Sequence, residues 1–217
     1  ERDITADEMA RPAVGMKYSK VIFVGDSRTV GMYATLNKQI GSSSSSGVSF
    51  VASAGQGLSW FQSEGYAKLL KEVEKAEGSL PVAVVFNLGV NDMANASNYV
   101  SYMTNIASTL KSKNCKLFYM SVNPLNSTMI TKAGKGSRTE AQVREFNSKI
   151  RSGLSANYKY IDTYSVLMKT GYGTNASYNG EDSVSDDGLH YTTKTFKRIY
   201  YYCVSYLNTG SIDSFSY

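Results

Sequence analysis

Short apolar runs alternate with longer amphipathic segments along most of the chain. The first run, Val21–Val24, is continuous and uncharged, which is typical of a strand buried on both faces of a parallel sheet. Four later runs predict four more strands, at Val48–Ala54, Val82–Leu88, Lys116–Val122 and Tyr158–Ile161. Each gap between consecutive runs is long enough to hold a helix.

Apolar side chains recur at helical spacing in three segments: Tyr99, Met103, Ile106 and Leu110; Val143, Phe146, Ile150 and Leu154; and Phe196, Ile199, Cys203 and Leu207. This period predicts three amphipathic helices. Ser97 is placed to cap the first helix. Thr139 and Gln142 form a capping-box pattern ahead of the second. Thr192 or Thr193 is placed near the start of the third.

Strands that alternate with helices predict a parallel sheet with right-handed crossovers. The expected fold is a three-layer α/β/α domain of the flavodoxin-like kind, with a central parallel sheet of about five strands. This domain is predicted over residues 20–217, and the polar, aperiodic residues 1–19 are expected to form an N-terminal arm. Ligands of such sheets bind beyond the carboxyl ends of the strands. Chemistry-bearing residues are therefore sought where the predicted strands end.

The first predicted strand is followed by Gly25-Asp26-Ser27-Arg28. This sequence puts a serine at a strand-to-helix junction, where its hydroxyl can reach solvent. A serine hydroxyl is a weak nucleophile and needs an adjacent base. Two interpretations stay open for Ser27 on this segment alone, a nucleophile and a simple helix cap.

The next two strand ends carry groups that can donate hydrogen bonds. Gly55 lies in the turn after the second strand, where a glycine lets the backbone approach a ligand. A dinucleotide-binding fingerprint is set aside, because Trp60 occupies the position of its third glycine. Asn91 follows the third strand, and its amide can serve a developing oxyanion. Asparagine is also an ordinary turn or cap residue.

Near the C-terminus, Asp187 precedes His190 by three residues in a polar, glycine-containing loop. The carboxylate can then accept the imidazole N–H, which leaves the other ring nitrogen free to take a proton from a serine. His190 is the only histidine in the chain. Its position in this loop, away from any apolar helix face, favours a functional role.

The overall composition argues against nucleic-acid binding, membrane insertion and a zinc site. The net charge is +5, and the lysines are scattered, so the basic stripe of a nucleic-acid binder is missing. No apolar run approaches the roughly 18–20 residues that span a bilayer, so membrane insertion is not expected. One histidine and two distant cysteines, Cys115 and Cys203, form no zinc-ligand pattern. The two cysteines are either buried free thiols or a disulfide, and free thiols are favoured.

The order of these motifs resembles that of the SGNH hydrolases, also called GDSL-type esterases and lipases. The resemblance rests on four blocks, which span about residues 21–207: Gly25-Asp26-Ser27, Gly55, Gly89-Val90-Asn91-Asp92 and Asp187-Gly188-Leu189-His190. It implies a serine esterase that needs no cofactor and no metal.

The resemblance also implies a role for each site residue. Ser27 attacks an ester carbonyl, His190 acts as general base and then general acid, and Asp187 orients His190. The main-chain amides of Ser27 and Gly55 and the side chain of Asn91 form the oxyanion hole.

One position departs from the common family pattern, because Arg28 follows the nucleophile where the family usually has leucine. A cation beside the site disfavours a lipid-like substrate. Arg28 either binds an anionic group of the substrate or pairs with Asp26 or Asp92, and the pairing is favoured. Tyr172 and Tyr178 precede the Asp187 block, where they either pack in a loop or form a platform for a sugar ring.

The expected substrate is a small acyl ester, and an acetyl group on a carbohydrate or cell-wall glycan is favoured. Transfer of the acyl group to a glycan hydroxyl is the alternative reaction. A flavodoxin-like binding module without catalysis is the alternative from another class. The glycan hypothesis and the basic charge together favour an extracellular or cell-surface setting.

Overall fold

The five predicted strands form one parallel sheet. The computed structural model describes residues 3, 17–41 and 47–212. The strands of the sheet are β1 (Lys20–Gly25), β2 (Val48–Ala52), β3 (Val82–Asn87), β4 (Cys115–Met120) and β5 (Lys159–Ile161). They lie in the order β2-β1-β3-β4-β5, and every neighbouring pair is parallel. The predicted flavodoxin-like α/β fold is therefore confirmed.

Helices cover both faces of this sheet. They are α1 (Ser27–Ile40), α2 (Leu58–Trp60), α3 (Tyr66–Glu74), α4 (Ala96–Ser112), α5 (Ser127–Lys132), α6 (Glu140–Gly153), α7 (Thr163–Thr170) and α8 (Thr193–Thr209). A π-helical turn, Phe61–Gly65, joins α2 to α3. A small antiparallel pair, β6 (Thr174–Asn175) and β7 (His190–Tyr191), lies just before α8.

The apolar strands supply one core on each face of the sheet. In β1, Ile22 and Val24 belong to the core that includes α3, α4 and α6. Val21 and Phe23 point the other way, into the core that includes α1 and α8. All four side chains are almost fully buried, because successive residues of a strand face opposite sides. This two-sided burial explains why β1 is a continuous apolar run.

Two of the three helix starts agree with the sequence predictions. Thr139 and Gln142 form a complete capping box at α6, and Thr192 caps α8 by accepting from the Thr195 N–H. The prediction that Ser97 caps α4 is wrong, because Ser97 lies inside that helix. A 3₁₀ turn, Met93–Asn95, runs directly into α4, so the chain is already coiled before Ser97.

Only part of the predicted N-terminal arm can be compared with the structure. Residues 17–19 and Asp3 are described, and the rest of residues 1–19 lies outside the described residues. Cys115 and Cys203 are both free and buried, as predicted. Within the described residues, no helix combines the length and apolarity that crossing a bilayer requires.

The order of the strands determines where a site can form. The chain passes from β1 outward to β2 and then returns to β3 on the other side of β1. Helices that leave β1 and β3 in opposite directions open a crevice at their carboxyl ends, which is where ligands bind in such folds. Gly25, at the end of β1, is in register with Ala52 of β2 and Asn87 of β3. The three strand ends that carry the motifs therefore meet around Ser27.

Candidate active site

Ser27, His190 and Asp187 form a continuous hydrogen-bonded chain. The distance from His190 Nε2 to Ser27 Oγ is 2.8 Å, and that from His190 Nδ1 to Asp187 Oδ2 is 2.6 Å. All three residues are buried. The structure thus brings together three side chains that lie up to 163 residues apart in the sequence.

The state of Asp187 determines the tautomer of His190. Burial alone would raise the pKa of Asp187, but hydrogen bonds from the His190 ring and from the main-chain N–H groups of His190 and Leu189 lower it to about 2. Both main-chain groups donate to Oδ1 at 2.9 Å. An ionised carboxylate can only accept hydrogen bonds. The imidazole proton therefore lies on Nδ1, and the lone pair on Nε2 faces Ser27.

The turn that carries Asp187 is held from both ends. His190 begins β7, which pairs with Asn175 of β6. Gly188 has a positive φ of 70° and packs directly on the backbone at the start of α5. Its carbonyl accepts from the Asn126 N–H at 2.8 Å. A side chain at position 188 would meet that backbone, so glycine is required there.

Ser27 is not the cap of its helix. Asp26 occupies the cap position and accepts from the Arg28 N–H at 2.9 Å, and Ser27 is the first residue of α1. The interpretation of Ser27 as a simple cap is therefore wrong. Because Asp26 performs the capping, the Ser27 hydroxyl remains available to His190.

Asp26 is completely buried beside this hydroxyl, and burial raises its pKa to about 6 despite the hydrogen bond from Arg28. An acid whose pKa is raised on folding binds its proton more tightly in the native state. Stability therefore falls as the pH rises from about 4 to about 6. We expect Asp26→Asn, which keeps a capping side chain, to raise the unfolding free energy at pH 7.5 by up to about 3 kcal/mol. This gain should shrink to about 1 kcal/mol at pH 4.5.

Urea unfolding of the parent and the variant at the two pH values measures this effect. Asp162 provides the matched control, since it caps α7 in the same way but is only half-buried. Asp162→Asn should give no comparable gain at pH 7.5. An Asp26→Asn variant that is no more stable than the parent at pH 7.5 would contradict a buried, poorly compensated charge.

The turn with Gly55 and the turn with Asn91 are tied together. Gly55 is exposed and has a positive φ of 76°. The Asn91 side-chain amide donates to the Gln56 carbonyl at 2.9 Å. Asp92 accepts from the Leu58 N–H at 2.9 Å and from the Tyr99 hydroxyl at 2.6 Å. These bonds hold the ends of β2 and β3 as one unit beside Ser27.

Arg28 does not make the predicted pairing with Asp26 or Asp92. Its side chain is almost fully buried, and its guanidinium donates to three main-chain carbonyls at 2.7–3.0 Å, those of Leu189, Asn123 and Pro124. A planar guanidinium with five donors suits such a cluster of carbonyls. With Nε, Nη1 and Nη2 engaged in this way, Arg28 ties α1 to the His190 loop and is not placed to bind a substrate anion.

The two loop tyrosines have different roles. Tyr172 packs internally, since its hydroxyl donates to the Leu125 carbonyl at 2.9 Å. Tyr178 lies against the site: its ring stacks on the His190 ring with centroids 4.4 Å apart and planes 25° apart. Tyr178 is 38% exposed, so one part of its ring faces solvent. Gly31 of α1 leaves the space that Tyr178 and Phe196 fill.

Sequence reasoning missed Arg138, which donates from Nη2 to Asn91 Oδ1 at 3.2 Å. The residue lies in a polar loop just before the Thr139 cap of α6. Its position in the sequence carries no motif, and only the packing of α6 against the Asn91 turn brings it to the site. Among the described residues, no group of three or more histidine, cysteine or acidic side chains is placed to hold a metal.

Solved structures share this fold at low sequence identity. A protein from Bacteroides fragilis assigned as an acylhydrolase is 16% identical, with 94% of each chain covered and a TM-score of 0.61. An acetyl xylan esterase is 18% identical over 83% of this chain and 96% of that one, with a TM-score of 0.57. A protein from Agrobacterium tumefaciens assigned as an arylesterase is 16% identical over 86% and 97%, with a TM-score of 0.52.

A comparison with curated proteins found no match. The sequence model of the GDSL-like lipase and acylhydrolase family matches residues 21–202, a span that includes all four motif blocks. The chain therefore belongs to the GDSL-like lipase/acylhydrolase family, the SGNH hydrolases.

Proposed function

We propose that the protein is a serine esterase that cleaves small acyl esters, with Ser27 as nucleophile, His190 as base and Asp187 as the group that orients His190. The observation that carries this proposal is the unbroken hydrogen-bonded chain from Asp187 through His190 to Ser27. Such a chain activates a serine hydroxyl, which is otherwise a weak nucleophile. Membership of an acylhydrolase family is consistent with this chemistry.

The reaction follows from the tautomer of His190. Ser27 Oγ attacks the ester carbonyl carbon while its proton moves to His190 Nε2, and Asp187 stabilises the imidazolium that forms. The tetrahedral intermediate collapses as the bond to the leaving oxygen breaks, and the imidazolium protonates that oxygen. Water then attacks the acyl-Ser27 ester by the same proton transfers and releases the acid.

The negative charge of the intermediate needs preorganised donors. The proposed donors are the main-chain N–H groups of Ser27 and Gly55 and the side-chain amide of Asn91. Ser27 opens α1, so its N–H belongs to the free donors of a helix N-terminus. Gly55 and Asn91 lie in turns that are bonded to each other beside Ser27. Donors that are fixed in advance stabilise an oxyanion without reorganisation.

An acyl group carried on a carbohydrate is the proposed substrate. Next to Tyr178 lies a hollow of about 490 Å³, lined by Ala176, Ser177, Tyr178, Asn179, Ser183 and Ser185. It has an aromatic ring, hydroxyls and an amide but no charged side chain, which suits a neutral polyol. One structure with the same fold is an acetyl xylan esterase.

We also propose an extracellular or cell-surface setting. Both a glycan substrate and the protein's net charge of +5 support this location.

An aryl acetate assay with EDTA present tests the esterase proposal. We expect turnover, together with a covalent fluorophosphonate adduct on the peptide that contains Ser27, detected by mass spectrometry. An adduct on another residue would overturn the assignment of the nucleophile. No turnover and no adduct would favour a binding protein without catalysis.

The same assay with an added glycan acceptor separates hydrolysis from acyl transfer. Free acetate as the main product in the presence of acceptor supports hydrolysis. Acetylated glycan at the expense of acetate would identify an acyltransferase that uses the same acyl-Ser27 intermediate.

Tyr178 should contribute to turnover through its ring. We expect Tyr178→Ala to lower kcat/KM for aryl acetate about 3- to 10-fold, because an aromatic stack is worth about 0.5–1.5 kcal/mol. Tyr178→Phe keeps the ring and should stay close to the parent. A Phe variant as impaired as the Ala variant would mean that the hydroxyl matters and the stack does not.

A further inference from the structure

The Asn91 side chain is held from both sides. Its oxygen accepts from Arg138 Nη2 at 3.2 Å, and its nitrogen donates to the Gln56 carbonyl at 2.9 Å. A guanidinium can only donate and a carbonyl oxygen can only accept. The two partners therefore define which end of the amide is oxygen and which is nitrogen.

This arrangement leaves one donor uncommitted. A side-chain amide has two N–H groups on its nitrogen, and the Gln56 carbonyl uses one of them. The second is the group that can serve an oxyanion. If the amide turned over, its oxygen would point at that position, and two acceptor oxygens, those of Asn91 and Gln56, would meet.

The position of Arg138 is fixed by the structured start of α6, so Arg138 can hold the Asn91 amide in place. It directly precedes Thr139, whose capping box with Gln142 opens α6. Glu140, in the first turn of α6, accepts from the Leu125 N–H and from the Tyr164 hydroxyl, each at 2.6 Å. The same helix supplies Phe146, which packs on Gly89 in the turn that carries Asn91. One helix thus positions both Arg138 and the turn that it contacts.

The positive charge of Arg138 also affects the Asn91 amide. Burial lowers the pKa of Arg138, the nearby Arg28 cation lowers it further, and the Asp26 and Asp187 carboxylates raise it. These interactions place the guanidinium within electrostatic range of the site. A cation bonded to an amide oxygen draws electron density from the nitrogen and makes its N–H a stronger donor.

We propose that Arg138 is a positioning residue, which holds and polarises the Asn91 amide so that its remaining N–H stabilises the oxyanion. The inference rests on the proposed esterase function. In this proposal, Arg138 helps to stabilise the transition state through Asn91 and does not bind an anionic substrate. Arg138 should therefore affect kcat through Asn91 and leave KM nearly unchanged.

A double-mutant cycle on aryl acetate tests this coupling. We expect Asn91→Ala to lower kcat about 10²–10³-fold, the usual cost of one oxyanion donor. Arg138→Ala should lower kcat about 10- to 100-fold with KM within twofold of the parent, and Arg138→Lys should recover part of the loss. The double variant should be no slower than Asn91→Ala. Losses that multiply in the double variant would overturn the proposal.

Lys149→Ala is the matched control, since it removes an exposed cation from α6, the helix that follows Arg138. It should retain the parent's kcat and KM. An Arg138→Ala variant that behaves like this control would overturn the proposal. So would a loss confined to KM and limited to esters that carry a carboxylate, because that pattern indicates recognition of an anionic substrate.

A readout without turnover separates this inference from the esterase proposal. The side-chain amide signals of Asn91 in a ¹⁵N spectrum can be assigned by their absence from Asn91→Ala. They should shift and broaden in Arg138→Ala but not in Lys149→Ala. Unchanged signals would overturn the positioning role even in a protein without esterase activity. Failure of the esterase proposal would instead appear as absent turnover and an unlabelled Ser27.

Discussion

Ser27→Ala should lower kcat for aryl acetate by about 10⁴–10⁶-fold while the fold remains intact. The hydroxyl that His190 contacts at 2.8 Å is the proposed nucleophile, and no acyl-enzyme can form without it. Loss of the nucleophile of a hydrolase triad typically costs about as much as loss of all three members. Steady-state kinetics of purified parent and variant measure this effect, and thermal unfolding checks that both are folded.

Ser101→Ala serves as the matched control for Ser27→Ala. Ser101 is an exposed serine on α4, away from the site, so its variant should keep the parent's kcat. Equal activity in the parent and Ser27→Ala would refute Ser27 as the nucleophile and with it the proposed mechanism.

Asp187→Ala should lower kcat by about 10³–10⁴-fold. Without the carboxylate, the His190 proton is no longer held on Nδ1, and the imidazolium loses its stabilising partner. Because the pKa of Asp187 is lowered to about 2, the carboxylate also contributes stability that is present above about pH 4 and is lost as the pH falls towards 2. The variant should therefore unfold at a lower temperature than the parent at pH 7.

Asp186→Ala distinguishes the two neighbouring carboxylates. Asp186 accepts from the Gly188 N–H at 2.7 Å, whereas the contact to the His190 ring is made by Asp187. We expect the kcat of Asp186→Ala to stay within about tenfold of the parent. Asp187→Asn, which keeps the shape of the side chain, should be nearly as slow as Asp187→Ala. Similar losses in the Asp186 and Asp187 variants would show that the orienting carboxylate is misassigned.

The local patterns of the chain were enough to predict its fold. Buried parallel strands such as β1 and β3 are continuous apolar runs because both of their faces pack against helices. The capping box of α6 is readable because its partners lie three residues apart. The same local logic failed at α4, where a preceding 3₁₀ turn replaced the expected Ser97 cap.

The sequence by itself also predicted the motif residues of the candidate site, since each motif follows a strand or precedes a helix. Only the tertiary structure decided how their side chains are used. In the folded protein, the Arg28 guanidinium donates hydrogen bonds to three main-chain carbonyls. Tyr178 stacks on His190, and Arg138 contacts Asn91. These contacts join residues that are 12 to 161 positions apart. Partners that are chosen by the packing of distant elements leave no periodic or motif signal in the sequence.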